Sequence, residues 1–170
     1  MCDIWLLPTW FPPCCLYFIY FSGIYANFPF NAITIPIQWS CIKYLENKYG
    51  DNIDYSKIVV GVAPYTRGWK EVKKDTGRDS KNPGLYADAT GENGVTYAYS
   101  DINSLVSKYN LTKYWDDVAK ANYYYSESSG MFFTCDTEES VAEKGKYVKQ
   151  KHLGGLISWM ASLDASSTIT

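Results

Sequence analysis

The sequence predicts an α/β protein with an α+β insertion, and three features carry that prediction. Residues 57–63, KIVVGVA, form a β-branched run without polar alternation, the pattern of a strand covered on both faces. Residues 156–160, LISWM, repeat the pattern near the end of the chain. Between them lie short apolar segments separated by turn residues, as in a small antiparallel unit.

Each element has its own local reason. Residues 38–49 place Ile42, Leu45 and Tyr49 on one helical face, and Gly50 stops the helix. The strand at 57–63 comes next. Residues 84–100 alternate around Asn93-Gly94, a hairpin-turn signal. In residues 101–109, Ile102, Leu105, Val106 and Tyr109 recur at helical spacing. Residues 121–136, ANYYYSESSGMFFTCD, predict two strands joined by a Ser/Gly turn. Asp136 is positioned to cap the next helix, with Glu139 as its reciprocal partner. That helix runs to about Lys151, turns Val141, Gly145 and Val148 inward, and ends at Leu153-Gly154-Gly155. The outer elements make a βα-type repeat, and the middle hangs on the C-terminal end of the first buried strand. Tyr65, Arg67 and Trp69 come after that strand within five positions, and Trp159 stands near the end of the other. The two groups are expected to face one mouth.

Composition narrows the function classes. The 170 residues suffice for one domain with a core. A formal charge of -2 leaves no electrostatic footprint for nucleic acid. Aromatic residues make up 17 % of the chain, with 16 Tyr and 6 Trp, a bias that suits sugar faces as well as a Tyr-rich core. Cys2, Cys14, Cys15, Cys41 and Cys135 fit no zinc spacing, and an odd number cannot all pair internally. No metal site and no cofactor motif is read from the sequence. His152, the one histidine, sits at a helix C-terminus with no nucleophile pattern beside it. The basic run at 144–152 is read as a solvated helix face, and Asn110-Leu111-Thr112 is a glycosylation sequon.

The N-terminal region is the anomaly. Between Asp3 and Lys43 there is no charged residue and no histidine. The length suits a membrane segment, but Pro8, Pro12 and Pro13 break a helix early, and no basic n-region precedes it. A poor signal anchor, an apolar packing segment and a foreign, mis-joined sequence remain as readings.

Residues 56–69, SKIVVGVAPYTRGW, resemble the seventh barrel strand of the glycoside hydrolase family 18 chitinases, with its Tyr-Gly-Arg-Gly-Trp-like ending. Residues 114–125 (YWDDVAKANYYY) and 131–164 (MFFTCDTEESVAEKGKYVKQKHLGGLISWMASLD) resemble the end of that family's insertion domain, its last helix and its eighth strand. The resemblance covers roughly residues 38–164. It implies a partial (β/α)8 TIM barrel, its last two strands, with a small α+β insertion domain. The stretch before Gln38 resembles nothing in the family, so strands one to six are expected to be absent, and the foreign, mis-joined reading of the N-terminal region is preferred. The division implied is an apolar leader at 1–36, barrel parts at 37–69 and 135–170, and the insertion at 70–134. The resemblance further implies that Trp159 floors the subsite of the reacting sugar and that Tyr65 and Arg67 contact sugar hydroxyls and the acetamido region. Trp69 matches a position where packing competes with sugar contact. Tyr86, Trp115 and residues 123–125 fall in the wall of the cleft, where packing within a small sheet explains them more simply.

The implied activity is substrate-assisted retaining hydrolysis of β-1,4-linked N-acetylglucosamine polymers, with chitin or a related glycan as partner. The parent protein would be secreted, and membrane association is expected only through the N-terminal apolar stretch. One departure stands against activity. The family's acid is the Glu of an Asp-x-x-Asp-x-Asp-x-Glu motif, and this chain has none. Residues 51–58, DNIDYSKI, begin with the right spacing but put Ser56 and Ile58 where the third Asp and the Glu belong. The sixth-strand Met-x-Tyr-Asp element is missing too. No catalytic residue is assigned, and the chain alone is expected to be inactive. The alternative is a non-catalytic chitinase-like carbohydrate-binding protein.

Overall fold

A computed structural model describes residues 17–19, 35–74, 82–85, 87–89, 93–165 and 167–169. Tyr86, three of the five cysteines and nearly all of the apolar N-terminal stretch lie outside the described residues. The elements are β1 (Tyr17–Ile19), α1 (Ile35–Tyr49), β2 (Ile58–Val62), β3 (Arg67–Trp69), β4 (Asn93–Val95), α2 (Ile102–Tyr109), β5 (Thr112–Asp116), β6 (Ala121–Ser126), β7 (Met131–Thr134), α3 (Glu138–Lys151) and β8 (Gly155–Ser158). They form two sheets. One is parallel, in the order β1-β2-β8; the other is antiparallel, in the order β4-β3-β7-β6-β5.

The parallel sheet is built around β2. All five of its residues are buried, as a run of β-branched side chains without alternation predicts. Ile42 and Leu45 of α1 and Tyr147 of α3 pack against Ile58 and Val60, with Leu153 closing the cluster. Gly154 is required where α3 turns into β8. A Cβ there would run into the Ser56 carbonyl oxygen, and the Gly154 N–H donates to the Ile58 carbonyl at 2.7 Å. Tyr17–Ile19, inside the stretch read as a leader, pairs in parallel with β2 opposite Ile58, Val59 and Val60. The sheet therefore has three strands among the described residues, not the two expected.

The antiparallel sheet has a core on each face. Ile102, Leu105 and Leu111 meet Tyr124, Met131 and Phe133 on one side. Tyr123, Tyr125, Phe132 and Val72 pack on the other, joined by Trp69, Leu85 and Tyr114. The rings of Tyr114, Tyr123 and Phe132 stack in a row, with centroids 5.1 and 5.2 Å apart.

Three local expectations are corrected. Asn93-Gly94 is not a turn tip but lies inside β4, paired with β3 across a longer intervening segment. The cap of α3 is Thr137, not Asp136. Its side chain accepts from the Ser140 N–H, and Ser140 Oγ accepts from the Thr137 N–H at 2.9 Å. Glu139 instead reaches Lys113 at 2.9 Å. The buried face of α3 is Ser140, Lys144 and Tyr147, while Val141, Gly145 and Val148 are only partly covered. Lys144 is 1 % exposed, so the basic run is not wholly a solvated face. The physical reason is the carboxylate of Asp136, which turns inward and takes a cation with it.

Candidate functional site

The site lies at the C-terminal ends of two adjacent parallel strands. β2 and β8 run side by side, with Val62 opposite Ser158. One step beyond, the Trp159 N–H donates to the Val62 carbonyl at 3.1 Å. The chain leaving β2 enters the antiparallel sheet within five residues, because Arg67 already pairs with Thr134 of β7. Between the two sheets lie Ala63, Pro64, Tyr65 and Thr66, all buried.

Tyr65 and Arg67 are brought together. The guanidinium carbon lies 5.3 Å from the Tyr65 ring centroid, within cation–π range, and Nη1 donates to Thr96 Oγ1 at 3.2 Å. Thr66, fully buried between them, fixes the turn. Its N–H donates to the Tyr97 carbonyl at 2.8 Å, and its hydroxyl accepts from the Tyr97 N–H at 2.9 Å. The Tyr99 N–H donates to the Pro64 carbonyl at 2.9 Å. Residues 97–99 thus hold the Tyr65 loop from one side. Burial is the first cause that raises the Tyr99 phenol above its ordinary value.

Trp69 stands apart from this pair. It sits edge-on to Phe132 at 6.1 Å in the core of the antiparallel sheet. Trp159 is the opposite case, 59 % exposed, with Leu156 and Met160 also exposed along the same strand end. Trp115 lies half-covered on β5, its indole N–H bonded to Asp117 at 3.0 Å. Tyr123, Tyr124 and Tyr125 are buried core residues.

Three carboxylates of the sequence are committed to local structure or to an ion pair. Asp54 accepts from the Ser56 N–H at 3.1 Å and from its hydroxyl, so the Asp-x-x-Asp stretch is a turn before β2. Asp116 receives the N–H groups of Val118 and Ala119 at 2.8 and 3.1 Å. Asp136, expected only as a cap, does more. Its Oδ2 accepts from the Ala63 N–H at 2.8 Å and from Lys144 Nζ at 2.5 Å, and its Oδ1 accepts from the Ser140 hydroxyl at 3.0 Å. Lys144 also donates to the Gly61 carbonyl at 3.0 Å. The signal for this pair is present in the sequence, since Ser140, Lys144 and Tyr147 share one helical face. Among the described residues no group of His, Cys, Asp or Glu could hold a metal ion.

The arrangement places a largely buried phenol, a guanidinium bonded to Thr96 and an exposed indole on the segments that leave the C-terminal ends of β2 and β8.

Residues 21–164 match the family model of the glycosyl hydrolases family 18, and the chain belongs to that family. It is 34 % identical over 121 residues to Chitinase A1 of Niallia circulans, a match covering 67 % of this chain and 16 % of that protein. It is 37 % identical over 122 residues to the probable endochitinase of Orgyia pseudotsugata multicapsid polyhedrosis virus, covering 68 % of this chain and 21 % of that protein. Among solved structures it resembles the chitinase ChiW of Paenibacillus sp. str. FPU-7, with a TM-score of 0.65 and 32 % identity over 77 % of this chain and 11 % of that one. The chain therefore spans well under a third of each of these proteins.

Proposed function

We propose that these residues form the C-terminal part of a chitinase-type hydrolase barrel with its insertion domain. The whole protein would act on β-1,4-linked N-acetylglucosamine polymers by substrate-assisted retaining hydrolysis. This part supplies sugar contacts: Trp159 as an apolar platform, with Tyr65 and Arg67 for hydroxyl and acetamido groups. Trp69 serves the packing of the insertion. The observation that carries the reading is the joining of Trp159 to Val62 at the exit of β2, three residues before Tyr65.

The acid motif is absent from these 170 residues, and Asp54, Asp116, Asp136 and Asp164 are held in turns, in an ion pair or by a backbone N–H. Loss of a general acid typically costs about 10²–10⁴-fold, so the chain alone is proposed to bind without hydrolysing. The same absence favours a second reading, a chitinase-like carbohydrate-binding protein.

Calorimetric titration with chitotetraose, beside a fluorogenic chitobioside assay, tests both. Binding without turnover is expected. Trp159→Ala is expected to weaken binding at least tenfold while moving stability by less than about 0.5 kcal/mol, because the side chain is mostly exposed. Unchanged affinity in that variant would remove Trp159 from the site. Turnover by the chain would overturn the inactivity.

A further inference from the structure

We propose that the buried Asp136–Lys144 pair is a positioning clamp that sets Tyr65 and Arg67 relative to Trp159. This rests on the glycan-site reading above.

The clamp grips backbone. Among the described residues, β1 pairs with β2 as far as Val60, opposite Ile19. Beyond that point the Gly61 carbonyl is taken by Lys144 and the Ala63 N–H by Asp136. Between these two residues, the Val62 carbonyl receives the Trp159 N–H. Three successive residues at the exit of β2 are thus tied to a cation, to β8 and to a carboxylate. Tyr65 begins two residues further on.

The same carboxylate also closes the corner between the sheets. Arg67 pairs with Thr134, and Asp136 lies two residues beyond Thr134. The bond from Ala63 to Asp136 therefore completes a small ring: out along residues 63–67, across the β3–β7 pair, and back along residues 134–136. Tyr65 stands in the middle of one side of that ring. If the corner opens, the Tyr65–Arg67 pair can rotate with the antiparallel sheet while Trp159 stays with β8.

Packing alone would not need this arrangement. An apolar pair of similar volume fills a core at equal or better stability, because two desolvated charges recover little beyond their own burial cost. Apolar side chains, however, cannot hold a carbonyl and an N–H in fixed directions. The pair is thus suited to fixing geometry more than to adding stability.

The test uses the full 170-residue chain labelled with ¹⁵N. In the double variant Asp136→Asn/Lys144→Met, the Ala63 amide is expected to exchange at least tenfold faster. The Trp159 indole resonance is expected to shift or double, while the β6 amides keep their protection. Lys144→Arg, which keeps the charge and the donors, is expected to retain the parental signals. Should the double variant not fold, Asp136→Asn/Lys144→Gln, which removes both charges but keeps polar atoms on both side chains, is expected to show the same changes at smaller size. Unchanged Ala63 exchange with an unmoved Trp159 resonance would overturn the clamp. So would an equal loss of protection across β6, which marks plain destabilisation. Chitotetraose titration separates this inference from the reading beneath it. A parent chain that does not bind removes the glycan reading and leaves the resonances to decide the clamp. A parent that binds, with a folded double variant of equal affinity, overturns the clamp itself.

Discussion

The antiparallel sheet and the parallel sheet meet their surroundings differently. Every residue of β6 and of β7 is buried, and each face of that sheet has its own aromatic core. No residue of β8 is fully buried, and Leu156 and Trp159 are 40 % and 59 % exposed. The candidate sugar contact Trp159 thus follows the less covered strand, while Tyr65 and Arg67 sit at the seam between the two sheets. Full burial and the exposed candidate contact fall at different strands, and the seam at residues 63–67 lies between them.

The comparison can be broken first at Phe133, which is fully buried in the antiparallel sheet. Phe133→Ala is expected to cost about 3–5 kcal/mol, read from the urea midpoint. A loss below about 1 kcal/mol would mean that this core does not hold the sheet. Next comes the seam. Lys144→Met alone leaves a buried Asp136 without its cation and is expected to cost about 3 kcal/mol. The double variant with Asp136→Asn is expected to recover part of that loss. If single and double variants melt together, the ion pair is not coupled.

The cap of α3 gives a smaller effect. Thr137→Ala removes the acceptor for the Ser140 N–H and a buried bond to Asn122 Oδ1, and about 1–2 kcal/mol is expected by thermal unfolding. The smallest effect is expected at the solvent edge, where Lys113 of β5 meets Glu139 of α3. The hydrogen bond from Lys113 is the first cause holding the Glu139 carboxyl below its ordinary 4.5. A depressed folded value means that the stabilisation is fully present above pH 4.5 and fades as pH falls through the lower folded value. Both side chains are substantially exposed, so screening limits the effect to about 0.5 kcal/mol or less. Glu139→Gln is expected to flatten the stability–pH curve slightly in that window, measured by urea titration at about pH 3 to 6.

Local periodicity made much of this fold legible. The β-branched run of β2, the helical spacing of Ile102, Leu105, Val106 and Tyr109, and the Ser/Gly turn between β6 and β7 all depend on near neighbours. What escaped depends on distant partners. Asn93-Gly94 carries turn chemistry, yet β4 is held in place by β3, more than twenty residues away. Lys144 shares a helical face with Ser140 and Tyr147, but its burial is decided by Asp136, outside the helix, and by the Gly61 carbonyl 83 residues earlier. At the candidate site, the order of Tyr65, Arg67 and Trp159 was readable. That Trp69 belongs to the Phe132 core was not, because the choice is made by a strand sixty residues downstream.

The Ala63–Asp136 bond also bears on how the chain assembles. Its partners are 73 residues apart, and those of the Lys144–Gly61 bond 83. Closing such a loop in an unfolded chain is entropically costly, and the cost rises with its length. The β6–β7 hairpin closes locally, and once β3 lies against β7, Arg67 stands opposite Thr134. Only a few residues then separate Ala63 from Asp136. Chain entropy therefore orders assembly, with the insertion serving as a splint that shortens the remaining search. By that reasoning, the Ala63–Asp136 bond is expected to close after the β6–β7 hairpin and the β3–β7 pairing.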